Sequence, residues 1–236
     1  MTLPPALRPF AQHPARAAVL VDFDGSLSPI VDDPAAAVAL PAARDALARL
    51  VGRLGRVGVI SGRSVEFLRR EVGLDGVEYV GLYGFERWSD GRVIIDGRVE
   101  AWRDPFARAA DEADVALPGL LVERKQGVSL TLHWRQDPSR EAEVRAEAQR
   151  LHEQFGFDAP QRGRMAVELR PPIDLDKGDG VEMLATGFDA VAFAGDDRGD
   201  IPAFAAIDRL VAAGSLAHGA KIVVGSPEAP KEVLDA

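Results

Sequence analysis

Cysteine is absent from the 236-residue sequence, so no disulfide framework and no cysteine-ligated zinc or iron–sulfur centre can form. Long apolar runs are absent as well. The stretch "RAAVLV" near the N-terminus is too short for the hydrophobic region of a secretory signal and is followed by charge, and nothing approaches bilayer-spanning length. A basic stripe of the kind that binds duplex nucleic acid is also missing, and the formal net charge is −9. These absences predict a cytoplasmic protein with no membrane or nucleic-acid partner. Phosphorylated small molecules stay open as substrates, because one lysine and a metal ion can invert the local field of an acidic chain. With 47% hydrophobic and 28% charged residues, there is material for one large domain or a domain carrying an insert.

The proline-rich start, "MTLPPALRPFAQHPA", is expected to run along the surface. "AAVLVDF" then reads as a strand buried on both faces. "LPAARDALARLVGRLG" has helical spacing of leucines (Leu40, Leu47, Leu50, Leu54), with Gly55 as the expected C-cap. A second buried strand ("RVGVISGR"), a helix ("SVEFLRREVG") and a third strand ("VEYVGLYG") follow. Strands alternating with helices at this spacing predict an α/β fold with a doubly wound parallel sheet. The rhythm then breaks. "RWSDGRVIIDGRVE" predicts a hairpin with Asp90-Gly91 and Asp96-Gly97 as turns. After it come the helix "DPFARAADEADVAL", the strands "LLVERK" and "VSLTLHWR", the helix "DPSREAEVRAEAQRLHEQFG", and the strands "FDAPQ" and "RMAVELRP". This αββαββ run predicts an inserted cap domain over 99–172, with 1–98 and 173–236 forming a discontinuous core. The core rhythm resumes with the helix "DKGDGVEMLATG", the strand "AVAFAGDD", the helix "DIPAFAAIDRLVAAG" and a last strand, "AKIVVGS".

Polar residues close several core elements. Asp22 and Asp24 follow the first strand, Ser61 the second, and "GDDRGD" the strand "AVAFA", while Lys177 opens the helix after the cap. In an open parallel sheet, ligands bind beyond the carboxyl ends of the strands. Asp22, Asp24, Ser61, Asp196, Asp197 and Asp200 are therefore expected at one edge, with Lys177 nearby. That many carboxylates repel one another unless a hard cation sits among them, and oxygen-only ligation at a half-open site suits Mg²⁺. One aspartate of the first pair can then be a nucleophile and metal ligand while its neighbour handles protons, with Mg²⁺ and Lys177 neutralising the electrophile.

"DFDGS", "SGR", the lysine of "DKG" and "GDDRGD" resemble, in order, the four motifs of the haloacid dehalogenase (HAD) superfamily of phosphatases. More narrowly, "DFDGSLSPI", "VISGRS", "GLYGFE", "VERKQGVSLTLHWR", "VELRPPIDLDKG" and "GDDRGDIPAF" are similar to the trehalose-6-phosphate phosphatase family. The resemblance implies a HAD-like core with a cap, and hydrolysis of a small-molecule sugar phosphate. A trehalose-6-phosphate synthase is a further candidate partner. It implies that Asp22 attacks phosphorus, that Asp24 protonates the leaving sugar oxygen and later activates water, and that Ser61 and Lys177 bind the phosphoryl group, with Gly62 and Arg63 in the same substrate loop. Mg²⁺ would be held by Asp22, the backbone carbonyl of Asp24 and Asp196, with Asp197 or Asp200 in support. Glu123, Lys125 and Glu168 of the cap would read sugar hydroxyls. The chain departs from the family pattern at Ser26 and Gly199, where threonine is usual, and at Ile201 and Pro202, where acidic residues are usual. It also stops soon after "VVGSPEAPKEVLDA", where relatives commonly run on to another strand and helix.

Plainer readings compete with each assignment. Asp-Gly after a strand is a common turn, Ser61 is placed to cap the helix "SVEFLRR", and Asp197 and Asp200 suit a helix N-terminus as acids. Glu123 and Lys125, two apart on a strand, share one face and suit a solvated ion pair. His133 reads as a packed strand residue, and Tyr83, Phe85 and Trp88 read as core rather than as a sugar platform. Two rival functions remain. One is a HAD relative acting on sucrose phosphate or on mannosyl- or glucosyl-phosphoglycerate. The other is a non-catalytic domain that binds a sugar phosphate or a synthase.

Overall fold

The computed structural model describes residues 3–31, 33–163 and 165–225. It divides into two compact units, Met1–Ile94 with Leu175–Ala236, and Ile95–Asp174. The sequence reading places these junctions at 98/99 and 172/173.

The strands are β1 Ala17–Val21, β2 Arg56–Ile60, β3 Val77–Gly81, β4 Glu86–Ser89, β5 Arg92–Ile95, β6 Val122–Lys125, β7 Ser129–His133, β8 Gln161–Gly163, β9 Ala166–Leu169, β10 Ala190–Gly195 and β11 His218–Val223. The helices are α1 Arg8–Gln12, α2 Pro41–Val51, α3 Val65–Val72, α4 Arg103–Ala116, α5 Glu141–Phe155, α6 Lys177–Ala185 and α7 Ile201–Ala212.

The larger unit is built on a sheet ordered β11-β10-β1-β2-β3-β4-β5. The first five strands in that order pair in parallel, and β4 runs antiparallel to β3. Alternate residues of β1 serve opposite layers, as a strand's period of two requires. Ala18 and Leu20 join Ile60, Val181, Phe193 and Phe204 beneath α6 and α7. Val21 joins Leu47, Val59, Val65 and Leu68 beneath α2 and α3. Burial on both faces explains why these strands read as continuous apolar runs. The β4–β5 turn is Asp90-Gly91, both at positive φ (51° and 79°), the form that matches sheet twist.

The smaller unit has a four-stranded antiparallel sheet, β6-β7-β9-β8. Phe106, Ala113, Leu130, Leu132, Val144, Leu151, Val167 and Leu169 form its core with α4 and α5.

Several local expectations are corrected. The N-terminal segment folds into α1 flanked by short 3-10 turns, with Phe10 buried against Ala17, Ala190, Ala192 and Ala220. Arg16 ties it down with two bonds to Asp189 (2.9 and 2.6 Å) and one to the Gly187 carbonyl (2.9 Å). Gly55 is not the C-cap of α2, which ends at Gly52. Gly55 instead donates its amide to Pro14 O at 2.8 Å, and a side chain there would collide with Ala15 and Phe188. Asp96 caps a 3-10 stretch, Gly97–Trp102, rather than making a hairpin turn. "FDAPQ" enters the ladder only at Gln161, because Pro160 has no amide to donate. The last strand begins two residues before "AKIVVGS", and Ser226 with the rest of the C-terminal segment lies outside the described residues.

Candidate active site

The order β10-β1-β2 sets the ends of these three strands side by side, where strand order reverses around β1. Beyond β1 the chain winds tightly. The Phe23 carbonyl accepts the amides of Ser26, Leu27 and Ser28 at 3.3, 2.8 and 2.9 Å, and Gly25 N donates to Ser28 O at 2.8 Å. Phe23 itself is buried edge-on against Phe67, which anchors the turn between its two flanking aspartates. The Ser26 hydroxyl is buried with no hydrogen-bond partner among the described residues.

Two helix starts with the same pattern, D-x-G-D, deliver the opposite side of the site. In "DKGD", Asp176 accepts from Gly178 N (2.6 Å) and Asp179 accepts from Asp176 N (2.8 Å). In "DRGD", Asp197 accepts from Gly199 N (2.8 Å) and Asp200 accepts from Asp197 N (3.0 Å). Both are capping boxes, which satisfy amides that a helix start otherwise leaves unbonded. The first box places Lys177 as the opening residue of α6. Gly199 fits its box because its amide, not a side chain, makes the contact, and Pro202 falls in the first turn of α7, where proline is tolerated.

Lys177 is buried and its ammonium meets Asp22 Oδ1 at 2.8 Å and Asp200 Oδ1 at 2.6 Å. Asp200 Oδ2 also accepts from Asp196 N at 2.8 Å. Asp22, Asp196 and Asp200 each place an oxygen within 4.8 Å of the others, all three buried. Burial pushes the Asp22 carboxyl well up; Lys177 opposes this, and the neighbouring acids Asp200, Asp197 and Asp24 add to it. Burial also disfavours the Lys177 ammonium, but Asp22, Asp200 and Asp197 outweigh it, so its net movement is upward. Three buried carboxylates against one ammonium leave unbalanced negative charge. A hard divalent cation fits that donor set. Gly25 (φ 85°) lets the Asp196 carboxylate come close to the turn, since a Cβ there would overlap it. Because both oxygens of Asp200 already accept hydrogen bonds, Asp22 and Asp196 are the carboxylates best placed to face a cation.

Asp197 does not join this group; its side chain is engaged in the capping box. Asp24 stands apart too. Arg63 donates Nε and Nη2 to its two oxygens at 2.8 and 2.7 Å, donates Nη1 to Pro34 O at 2.7 Å, and lies over the Phe67 ring at 4.6 Å. Arg63, expected to touch substrate, thus holds the second aspartate of the pair. Ser61 is buried at the end of β2, with its amide on Val80 O (3.0 Å) and its hydroxyl accepting from Arg63 N (3.2 Å). The cap of α3 is Ser64, not Ser61.

In the smaller unit, Glu123 lies opposite Thr131 and Thr131 opposite Glu168, so the three share the sheet face away from Leu130 and Leu132. Lys125 Nζ and Ser129 Oγ donate to Glu168 Oε1 at 2.8 and 3.0 Å, and Arg170 approaches Oε2 at 3.3 Å. Glu123 is met by His133 Nε2 at 2.9 Å. His133 therefore belongs to the polar face. The Thr131 hydroxyl, between the two glutamates, is buried with no hydrogen-bond partner among the described residues. Alternation along "SLTLH" was the available sign that Ser129, Thr131 and His133 share that face.

The fold is that of the HAD-like hydrolases. The structure is similar to a haloacid dehalogenase-like hydrolase from Bacteroides thetaiotaomicron (TM-score 0.59, 15% identity, 93% of this chain and 91% of that one). It is similar also to the C. albicans trehalose-6-phosphate phosphatase C-terminal domain (TM-score 0.74, 24% identity, 89% of this chain and 80% of that one). Residues 20–232 match the family model described as trehalose-phosphatase. The chain belongs to the trehalose-phosphatase family. A trehalose-phosphate phosphatase of Mycobacterium bovis is 38% identical over 165 residues, which is 68% of this chain and 42% of the relative. The chain spans about half the length of the curated relatives it matches. No helix among the described residues is long and apolar enough to cross a membrane.

Proposed function

We propose that the chain hydrolyses trehalose 6-phosphate to trehalose and phosphate through an aspartyl-phosphate on Asp22. The observation that carries this reading is the buried Asp22–Lys177–Asp200 cluster with Asp196 beside it, in a member of the trehalose-phosphatase family. An Asp22 oxygen attacks phosphorus and the bond to the sugar oxygen breaks, with Asp24 giving that oxygen a proton. Asp24 then takes a proton from water as the water attacks the phosphorus of the aspartyl phosphate, which releases phosphate and restores Asp22. Lys177 and Ser61 hold the phosphoryl oxygens, and Arg63 fixes the plane of Asp24 through its paired donors. Asp22, Asp196 and the Asp24 carbonyl would hold Mg²⁺, which would supply positive charge to the transferring group. Asp200 orients Lys177, and Asp197 keeps the loop in its capped form. Glu123, Lys125 and Glu168 bind sugar hydroxyls, for which their mixed donors and acceptors on one sheet face are suited. A cytoplasmic site of action, alongside a synthase that makes trehalose 6-phosphate, belongs to the same reading.

The intact cluster favours turnover over mere binding, since a binding domain has no need for a buried nucleophile with a paired lysine. The test is phosphate release from trehalose 6-phosphate, sucrose phosphate, mannosyl- and glucosyl-phosphoglycerate and p-nitrophenyl phosphate, each with and without EDTA. Trehalose 6-phosphate should be turned over fastest, with EDTA abolishing release and Mg²⁺ restoring it. Faster release from another sugar phosphate would reassign the substrate, and no release from any would leave a binding domain.

A further inference from the structure

Segment 81–86, "GLYGFE", has no part in the chemistry above, yet it holds the longest run of positive φ among the described residues. Leu82 (φ 48°) and Tyr83 (φ 61°) are consecutive non-glycine residues in the left-handed region, followed by Gly84 at φ 112°. Of the other non-glycine residues with positive φ among those described, Asp90 and Gln126 each precede a single glycine in that region, and Met165 adjoins none that is described. Bulky side chains are genuine outliers there, and such strain persists only where surrounding contacts hold it. A four-residue link between antiparallel strands is ordinarily built around a type I turn, which asks for no such run.

What holds the strain is the loop that carries Ser61. Tyr83 N donates to Ser61 O at 3.1 Å and Leu82 N donates to Arg63 O at 2.9 Å. The loop's carbonyls are thereby turned toward 82–83, which keeps their negative ends away from a bound anion. Tyr83 also packs on the middle of the loop: an ideal Cβ on Gly62 would lie 2.5 Å from its hydroxyl oxygen and 2.6 Å from Cζ. Gly81 comes equally close, its Cβ position 2.7 Å from Arg63 O and 2.6 Å from Val65 N. At the far end, the buried Glu86 carboxylate accepts the Val65 amide at 2.8 Å, at the start of α3.

We propose that 81–86 is the mould that shapes the phosphate-binding loop 61–64, and that Tyr83 is a positioning residue acting through Gly62. This rests on the reading that Ser61 binds the phosphoryl group. The ligand is a phosphoryl oxyanion, and inorganic phosphate is a sufficient probe. Its dissociation constant is measured on the full chain by calorimetry with Mg²⁺ present, well below the melting temperature, beside the Mg²⁺ concentration for half-maximal activity. Tyr83→Asn keeps a residue that tolerates the left-handed backbone but removes the ring. It should raise the phosphate dissociation constant about 10- to 100-fold, the scale of a roughly ångström-sized misplacement, while the Mg²⁺ midpoint stays put. Tyr83→Phe keeps the ring and should stay close to wild type. Gly62→Ala should weaken phosphate binding when Tyr83 is present but add little in the Tyr83→Asn background, because the two residues act through one contact. Wild-type phosphate affinity in Tyr83→Asn, an equal loss in Tyr83→Phe, or additive losses in the cycle would each overturn the proposal. If Tyr83→Asn does not fold, Gly62→Ala alone decides, and unchanged affinity overturns it. Ser61→Ala separates the two levels of the argument. Weakened phosphate binding in Ser61→Ala beside a normal Tyr83→Asn leaves the site standing and removes the mould. Unweakened binding in Ser61→Ala removes the phosphoryl assignment and the proposal together.

Discussion

Asp22 and Asp24 are separated by one buried phenylalanine, yet they meet different neighbours and so can do different work. Asp22 faces a buried ammonium at 2.8 Å in a buried cluster. Asp24 is partly exposed and held by a guanidinium fork. Under the proposed function, Asp22→Asn keeps the shape and removes the nucleophile, so turnover and any phosphoryl adduct on the protein should disappear. Asp24→Asn leaves the proposed nucleophile in place but removes the proposed proton donor and base, a role that typically contributes about 10²–10⁴-fold. With p-nitrophenyl phosphate, whose leaving group needs no proton, Asp24→Asn should still phosphorylate Asp22 and then stall, giving a burst of nitrophenol without steady turnover. Rapid mixing with intact mass after quenching reads both steps. Near-normal steady hydrolysis of the sugar phosphate by Asp24→Asn would take the acid–base role away from Asp24. An adduct at position 22 of Asp22→Asn would take away the nucleophile.

At the scale of elements, the D-x-G-D boxes show how a stability device also aims a functional side chain. Asp176 caps α6 one residue before Lys177, so Asp176→Ala should cost about 1 kcal/mol in urea unfolding and lower activity by loosening the first turn that carries the lysine. Unchanged stability would mean that the box is idle. The buried strands and their closing polar residues were readable because burial on two faces leaves long apolar runs, and because parallel order dictates which ends meet. That Lys177, Asp22 and Asp196 come together was legible for that reason. Other partnerships were not. Arg63 reaches Asp24 across 39 residues, and no local spacing encodes that choice of partner. Asp197 and Asp200 both accept backbone amides in one capping box and Asp200 also meets Lys177, a difference that the spacing of the motif does not show. Gly55 read as a helix C-cap and Gly62 as part of the substrate loop, and neither reading showed the side chain or backbone packed on each from elsewhere in the sequence. The start of the chain looked like surface coil because prolines dominate it, and one buried residue, Phe10, with the Arg16–Asp189 pair was enough to order it.

At the scale of the whole molecule, the proposed function assigns the chemistry and the reading of the sugar to different units, each with its own core. The proposed function then predicts that substitutions sort by substrate. Replacing Glu123, Lys125 or Glu168 by alanine removes a group that a sugar hydroxyl would meet but that a nitrophenyl group would not. Glu168 is the most demanding case, because Lys125, Ser129 and Arg170 all converge on its carboxylate. Glu168→Gln keeps the shape and one carbonyl acceptor while removing the charge that collects these donors. A site built to hydrogen-bond a substrate hydroxyl discriminates strongly when a partner is lost, so kcat/KM for trehalose 6-phosphate should fall by about 10- to 100-fold, roughly 1–3 kcal/mol of transition-state binding. For p-nitrophenyl phosphate kcat/KM should change little, since its phosphoryl group depends on Asp22, Ser61 and Lys177. The comparison is internal to each variant, so a partly misfolded preparation lowers both rates and leaves their ratio untouched. A ratio equal to that of the wild type in all four variants would show that these residues stabilise the smaller unit and do not select the sugar.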